Sequence, residues 1–245
     1  MNDVVLWRRL VAEFAGSAFL AALVIGSGIA AQTLSPGDTG LQLLENAAAT
    51  AAGLFAIILM FGPVSGGHFN PVVSFVDAAF RGMRWRNALA YLPAQVAGCI
   101  VGAFVANMIF SKAALELSTK HRASPAHFLS EVVATLGLLL VIFALARSGR
   151  SASAPAAVGA YIGAAYFFTS STSFANPAIT VGRMFSNTFA GIAPSSVPSF
   201  IVAQVIGGAA AFVLIRFVLY PDVTPAEAAD IVFPHPVPEI SQEAH

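Results

Sequence analysis

The pattern of apolar and polar positions consists mainly of six long apolar stretches separated by short polar segments. A helix that crosses the hydrocarbon core of a bilayer needs about 20 mainly apolar residues. The stretches do not alternate between apolar and polar residues, as membrane β-strands of about 10 residues would. We therefore predict an all-α membrane protein whose spans lie at Leu10–Leu34, Leu41–Phe61, Ala88–Phe110, Ala126–Ala146, Ala152–Thr169 and Val197–Leu219.

Three short motifs occur once in each half of the chain, in the same order and 106 to 118 residues apart. They begin at Glu13, Asn70 and Gln95 in the first half, and at Glu131, Asn176 and Gln204 in the second. This predicts an internal repeat with halves at about 8–110 and 126–220. Because each half has three spans, the second half must enter the membrane from the opposite side. Inverted repeats place a solute path near the bilayer midplane.

The two Asn-Pro pairs each follow a loop of small residues and precede a short apolar stretch, Pro71–Phe80 or Pro177–Phe185. Ten helical residues extend about 15 Å, which is half of the hydrocarbon core. We therefore predict two re-entrant half-helices. Asn is a favoured N-cap and Pro suits the first helical position, so each pair is typical of a helix start.

The predicted half-helix starts meet head to head at mid-membrane if the repeats are inverted. Each start carries roughly half a positive charge from the helix dipole. Once an Asn side-chain oxygen caps its helix, the amide NH₂ group remains as a donor. Such a collar repels cations and offers hydrogen bonds to neutral polar solutes.

The composition excludes several other classes of protein. Charged residues make up only 10% of the 245 residues, against about 25% in soluble domains. Lys+Arg and Asp+Glu are both 12, so no net charge favours nucleic acid. The single cysteine, Cys99, allows no intrachain disulfide and no Cys-based metal cluster. We expect no metal, no cofactor and no enzymatic activity, since no nucleophile, base and orienting acid have a readable spacing.

The distribution of Lys and Arg predicts the orientation of the chain. Arg8, Arg9, Arg81, Arg84, Arg86, Arg147, Arg150 and Arg216 fall on one side, and Lys112, Lys120, Arg122 and Arg183 fall on the other. Positive loops stay inside, so both termini are expected in the cytoplasm. The first span is too long for a typical signal peptide and is interpreted as a retained helix. The Pro-rich acidic segment 221–245 is expected to be a disordered, solvated tail, although a partner-binding tail is an alternative.

The loops around Ser65–Pro71 and Phe174–Ala178 resemble the signature loops of the aquaporin, or major intrinsic protein, family. The resemblance covers about residues 8–220. It implies a right-handed bundle of six helices and two half-helices, with one pore per subunit and a homotetramer. It also implies that Glu13 and Glu131 brace the re-entrant loops and that His68 positions the first loop. A proton relay through the two glutamates remains an alternative.

The resemblance also places a selectivity filter at four positions, Thr50, Ala164, Ser173 and Ile179. Water channels and most glycerol channels have Arg where this chain has Ile179. The expected constriction is therefore wide, weakly polar and uncharged. The commonest signature of these loops is Asn-Pro-Ala. The first loop has Val72 in place of the Ala, which is interpreted as a packing difference. The second loop keeps the signature as Asn176, Pro177 and Ala178. The second loop resembles a bacterial aquaglyceroporin-like subgroup linked to arsenic resistance, which implies passage of neutral arsenous acid.

We therefore expect a passive channel for small neutral solutes in the bacterial cytoplasmic membrane. Metalloid hydroxides such as arsenous and antimonous acid come first, with glycerol-like solutes and water also expected to pass. An ordinary water channel is the alternative, if a neighbouring side chain fills the space left by the missing Arg. Outside this class, a proton-coupled transporter and a non-conducting adhesion protein remain open.

Overall fold

The computed structural model describes residues 4–221, which contain eight α-helices and no β-strand. The predicted tail, 221–245, lies outside these residues except for its first residue, Pro221. Three short helical segments, Ser151–Ser153, Pro194–Ser196 and Ile215–Leu219, adjoin the α-helices. The α-helices are α1 (Leu6–Leu34), α2 (Thr39–Ser65), α3 (Pro71–Ala79), α4 (Trp85–Ile109), α5 (Pro125–Arg147), α6 (Ala154–Phe168), α7 (Pro177–Arg183) and α8 (Val197–Leu214).

Five of the six predicted membrane spans are helices that are long and apolar enough to cross a bilayer. They are α1, α2, α4, α5 and the helical segment Pro194–Leu219, which includes α8. The sixth predicted span, Ala152–Thr169, is occupied by α6, which has only 15 residues. An α-helix of that length extends about 22 Å, so α6 is shorter than the hydrocarbon core. The all-helical prediction is confirmed, and the sixth span is shorter than expected.

The packing of the helices repeats between the two halves of the chain. In the first half α1 packs against α2 and α4, and in the second half α5 packs against α6 and α8. The short helices cross between the halves, since α3 contacts α8 and α7 contacts α4. Each half-helix is therefore held by helices of both halves, which positions its N-terminus at the centre of the bundle.

Two glycines allow the central helices of each half to approach closely. A Cβ atom added to Gly98 of α4 would collide with the carbonyl oxygen of Phe14 in α1. A Cβ atom added to Gly207 of α8 would collide in the same way with the carbonyl oxygen of Val132 in α5. Small residues at such contacts let helix backbones pack together in membranes. The repeated Gly therefore fixes the distance between α1 and α4 and between α5 and α8.

Candidate functional site: a pore between the two halves

The two short helices begin at the predicted Asn-Pro pairs. The Asn70 side-chain oxygen accepts a hydrogen bond from the backbone N–H of Val72 at 3.0 Å. The Asn176 oxygen accepts from Ala178 at 2.9 Å and from Ile179 at 3.3 Å. Pro71 and Pro177 occupy the first helical turn of α3 and α7, where a missing N–H costs nothing.

The two helix starts are joined to each other by crossed hydrogen bonds. The Asn70 amide nitrogen donates to the carbonyl oxygen of Ala175 at 2.7 Å, and the Asn176 amide nitrogen donates to that of Phe69 at 2.7 Å. Each bond uses one of the two amide hydrogens, so each Asn keeps a second N–H. Both side chains line the central cavity. The sequence predicted these donors but not the crossed bonds that orient them.

The loops before the two helices have an unusual backbone. Phe69 and Ala175 both have a left-handed conformation, with φ of 48° and 49°, and Ser173 has a φ of 49°. This conformation costs free energy for residues other than glycine and persists only where the surroundings hold it. It turns successive peptide groups away from helical pairing, so their N–H groups need other acceptors.

Glu13 supplies those acceptors for the first loop. One carboxylate oxygen accepts from the Ser65 hydroxyl at 2.6 Å and from the His68 N–H at 3.0 Å. The other accepts from the Phe69 N–H and from the Gln95 amide, both at 2.7 Å. The Glu13 side chain is fully buried. The carboxylate therefore braces the strained loop, and Glu13 is not one of the residues that line the cavity.

Glu131 repeats the same arrangement in the second loop. Its oxygens accept from the Ser171 hydroxyl at 2.6 Å, from the N–H groups of Phe174 and Ala175 at 2.9 and 2.8 Å, and from the Gln204 amide at 2.7 Å. Sequence reasoning found Glu131 but missed the roles of Ser171 and Gln204. The recurrence of Gln95 as Gln204 was the signal, since a repeated polar residue inside an apolar span needs a buried partner.

A cavity runs between the two halves, and its wall has an apolar and a polar part. The apolar part comes from α1, α2, α5 and α6, and includes Leu20, Val24, Leu54, Leu138, Ile142 and Val158. The polar part includes Thr50, His68, Asn70, Tyr166, Ser173 and Asn176. Such a wall gives a polar solute hydrogen bonds on one part of its surface and van der Waals contact on the rest. This is the expected form of a small-molecule path.

Three of the four predicted filter residues line this cavity, but Ala164 does not. Ala164 is exposed on the surface of the bundle, and Tyr166 is the α6 residue that meets Thr50. The Tyr166 and Thr50 hydroxyl oxygens lie 3.1 Å apart. Residues two apart on a helix do not share a face, so the assignment of Ala164 was a register error. The α6 position beside Thr50 therefore carries the large aromatic side chain of Tyr166 instead of the small side chain that was predicted.

Arg183 changes the expected charge of the filter. In the sequence this residue counts among the positive charges outside the membrane. In the structure its side chain is only 2% exposed and lines the cavity together with Ile179 and Phe174. Its guanidinium carbon lies 3.4 Å from the centre of the Phe174 ring. The cavity wall therefore includes a cationic side chain, whereas the sequence predicted an uncharged constriction. The long side chain reaches the cavity from the end of α7, which the sequence pattern alone did not indicate.

His68 lies in the wall of the cavity on the first re-entrant loop. Its ring Nδ1 is 3.0 Å from the Ser74 hydroxyl oxygen, and its Nε2 is 3.7 Å from a carboxylate oxygen of Asp77. Both partners belong to α3. These contacts fix the ring against the half-helix, in keeping with a residue that positions the loop. Among residues 4–221, no group of three or more His, Cys, Asp or Glu side chains forms a metal site.

Val72 fills a space that a glycine leaves open. A Cβ atom added to Gly208 of α8 would collide with a methyl group of Val72. The larger side chain in α3 is therefore matched by the missing side chain in α8.

Comparisons with known proteins agree with this architecture. A family model described as Major intrinsic protein matches residues 1–175. The chain is 46% identical over 221 residues to aquaglyceroporin AqpS of Rhizobium meliloti (strain 1021), which covers 90% of this chain and 94% of the relative. It is 30% identical over 232 residues to the lens fiber major intrinsic protein of Homo sapiens, covering 88% and 82%. The X-ray structure of the aquaglyceroporin from Plasmodium falciparum gives a TM-score of 0.70 at 21% identity, covering 89% and 98%.

The helices, half-helices and central cavity define a membrane channel of the aquaporin type. The chain belongs to the major intrinsic protein family, as the signature loops predicted. It is an aquaglyceroporin-type channel for small solutes in a membrane, and it is not an enzyme.

Proposed function

We propose that this channel passively conducts small neutral solutes that carry several hydroxyl groups. Arsenous and antimonous acid come first, and glycerol and water share the path. The observation that carries this proposal is the cavity wall, which combines the Asn70 and Asn176 donors with an apolar surface. A compact uncharged solute with hydroxyl groups can exchange water for these donors without leaving a charge unsolvated. The similarity to an aquaglyceroporin supports the same class of solute.

The proposed organisation follows the internal repeat and the family. Residues 1–220 form the channel domain, with repeat halves at about 8–110 and 126–220. We place the protein in the bacterial cytoplasmic membrane as a homotetramer, with one pore in each subunit and both termini in the cytoplasm. The pore domain contacts lipid through the exposed apolar side chains of its outer helices, of which Trp7, Phe19, Phe167 and Val205 are examples.

The experiment measures uptake of arsenous acid, glycerol and water by liposomes that contain the purified protein. We expect arsenous acid and glycerol uptake well above that of empty liposomes, and no dependence on an imposed pH gradient. A matched variant, Asn176→Ala, removes one donor and one end of the crossed bonds. It should slow all three fluxes, whereas uptake by the wild type equal to that of empty liposomes would refute the proposal.

A water channel is the second candidate, and one observation favours it. Tyr166 and Arg183 place two large side chains in the wall of the cavity, where the sequence predicted a wide opening. They occupy part of the space that a missing filter Arg would leave. Rapid osmotic water flow with arsenous acid and glycerol uptake no faster than in empty liposomes would support this candidate.

The proton-coupled alternative depends on water reaching Glu13 or Glu131. Both carboxylates are fully buried, and both are occupied by four donors each. The bonds favour a bracing role. An uptake rate that follows the direction of a pH gradient would support coupling instead.

A further inference from the structure

The end of α7 contains a buried cation, Arg183, that lies outside the four filter positions predicted from the sequence. Arg183 follows Ile179 by four residues, and residues four apart lie on the same face of a helix. Helical side chains also tilt toward the N-terminus of their helix. A long side chain at position 183 can therefore reach the part of the cavity that Ile179 lines.

The guanidinium of Arg183 is fixed in place and still has free donors. Its Nε–H donates to the carbonyl oxygen of Ala190, and its guanidinium carbon lies over the Phe174 ring, 3.4 Å from the ring centre. Within residues 4–221, no other hydrogen bond uses this guanidinium and no carboxylate forms an ion pair with it. Because an arginine side chain has five N–H donors, four have no hydrogen-bond acceptor among residues 4–221, and the side chain lines the cavity.

Arg122 is a second buried arginine nearby, but its guanidinium donors are paired. Its three guanidinium nitrogens donate to the carbonyl oxygens of Gly191, Ser171 and Phe189, at 2.9, 3.3 and 3.2 Å. Arg122 therefore braces the loops, and its donors are engaged with backbone. The cavity is lined by Arg183 and not by Arg122.

The neighbours of Arg183 include the cations Arg122 and Lys120, which add to its positive potential, and the Glu131 carboxylate, which offsets part of it. Partial desolvation, and then the charges of Arg122 and Arg183, lower the pKa of Lys120, in the loop between α4 and α5, to about 8. At neutral pH all three side chains carry a positive charge. This end of the cavity therefore combines fixed positive charge with the hydroxyl groups of Thr50 and Tyr166, which line the same space.

We propose that Arg183 is the selectivity residue of this pore, supplying one helical turn further along α7 the positive charge and donors that position 179 lacks. It excludes cations through its charge, and it limits solute size through its bulk. The inference rests on the proposed channel function. It assigns the specificity of that channel to a residue outside the four filter positions predicted from the sequence.

The test compares Arg183→Met with the wild type in liposomes. Arg183→Met removes the charge and donors but keeps a long apolar side chain. We expect glycerol uptake to remain, K⁺ and guanidinium leak to rise at least 10-fold, and uptake of the larger polyol erythritol to rise about threefold. Arg150→Met is the matched control, since Arg150 is exposed in the loop after α5, and it should leave all of these rates unchanged.

A second pair of variants guards against a folding defect in Arg183→Met. Arg183→Lys keeps the positive charge, whereas Arg183→Gln keeps a polar side chain without the charge. If the charge excludes cations, the Gln variant should leak K⁺ and the Lys variant should not. The double variant Ile179→Arg with Arg183→Met returns a cation to α7 one turn earlier, and it should suppress the leak. Suppression would support the inference.

Two outcomes would overturn different claims. Normal glycerol uptake by Arg183→Met, with wild-type cation leak and erythritol uptake, would refute the role of Arg183 and leave the channel function intact. Equal leak in the Lys and Gln variants would also refute it. Absence of solute uptake in the wild type would refute the proposed function itself.

Discussion

At the scale of single residues, the pore depends on buried polar side chains that hydrogen-bond to the backbone and side chains of the re-entrant loops. Glu13 and Glu131 hold N–H groups that the left-handed backbone of the two loops leaves unpaired. Asn70 and Asn176 cap the half-helices and hold each other's loop. A buried donor that loses its acceptor costs about 1–3 kcal/mol, so small changes at these positions have large effects.

Glu131→Gln tests the bracing carboxylate. The amide has one acceptor oxygen fewer, and its NH₂ group faces donors from the second loop, so we expect destabilisation by about 2–3 kcal/mol and slower solute flux. The measurement is the thermal unfolding midpoint in detergent together with liposome uptake. Glu116→Gln is the control, because Glu116 is exposed and, within residues 4–221, its side chain accepts a hydrogen bond only from Asn187. An unchanged midpoint in Glu131→Gln would contradict the bracing role.

Position 166, and not position 164, should control the width of the pore. Tyr166→Ala opens space beside Thr50 and is expected to raise erythritol uptake at least threefold, as measured by osmotic re-swelling of liposomes. Ala164→Phe adds bulk on the exposed surface of α6 and should leave uptake unchanged. A block of flux by Ala164→Phe would favour the register that the sequence predicted and contradict the observed one.

At the scale of the elements, the bundle is built from two helix pairs that pack through glycine. Gly98 brings α4 against α1, and Gly207 brings α8 against α5. This close contact allows Gln95 and Gln204 to reach the buried glutamates at 2.7 Å. The packing of the long helices thus supports the geometry of the re-entrant loops.

Gly207→Val should separate α8 from α5. A branched side chain has no room against the carbonyl of Val132, and overpacking of this kind costs about 1–3 kcal/mol. We expect a lower unfolding midpoint and, because the Gln204 contact with Glu131 lengthens, slower solute uptake. Ala209→Val changes an exposed position of the same helix and should have little effect. Equal midpoints for the two variants would argue against a close helix contact.

At the scale of the whole molecule, the two halves form one pore because each provides a half-helix that the other half holds. The crossed bonds between the two Asn residues and the opposite loops join the halves at the centre. The contacts of α3 with α8 and of α7 with α4 join them along the half-helices. The path therefore exists only when both halves are assembled.

A double-mutant cycle tests this joint. Asn70→Ala and Asn176→Ala each remove one cap and one crossed bond, and each is expected to destabilise the fold by about 1–2 kcal/mol. Because the two bonds share the same contact between the loops, the effects should be non-additive by at least 0.5 kcal/mol. The cycle is measured from unfolding midpoints of the wild type, both single variants and the double variant. Strict additivity would mean that the two loops are independent.

Much of this protein follows from its sequence. Long apolar stretches need helices to satisfy backbone hydrogen bonds in lipid, which gave five of the spans and the membrane location. The Asn-Pro pairs marked the two half-helices because capping is a local property of a few neighbouring residues. The repeated Glu and Gln pointed to buried partners, since isolated charges inside a membrane are costly. These inferences need only local chemistry and the periodicity of the chain.

The tertiary structure decided which side chains reach the pore. A shift of two residues along a helix separates a pore-lining position from an exposed one, so Tyr166 lies in the cavity wall where Ala164 was predicted. A long side chain can extend from one turn of α7 to the level of the next turn. Arg183 therefore lines a cavity that was predicted to be uncharged because Ile179 occupies the usual position of the Arg. How far a side chain extends into the pore, how each helix is rotated and which loops are joined by crossed bonds all depend on tertiary packing. The crossed bonds, for example, join segments more than 100 residues apart. Local sequence patterns do not encode those positions, which is why the charge and width of the filter emerged only from the fold.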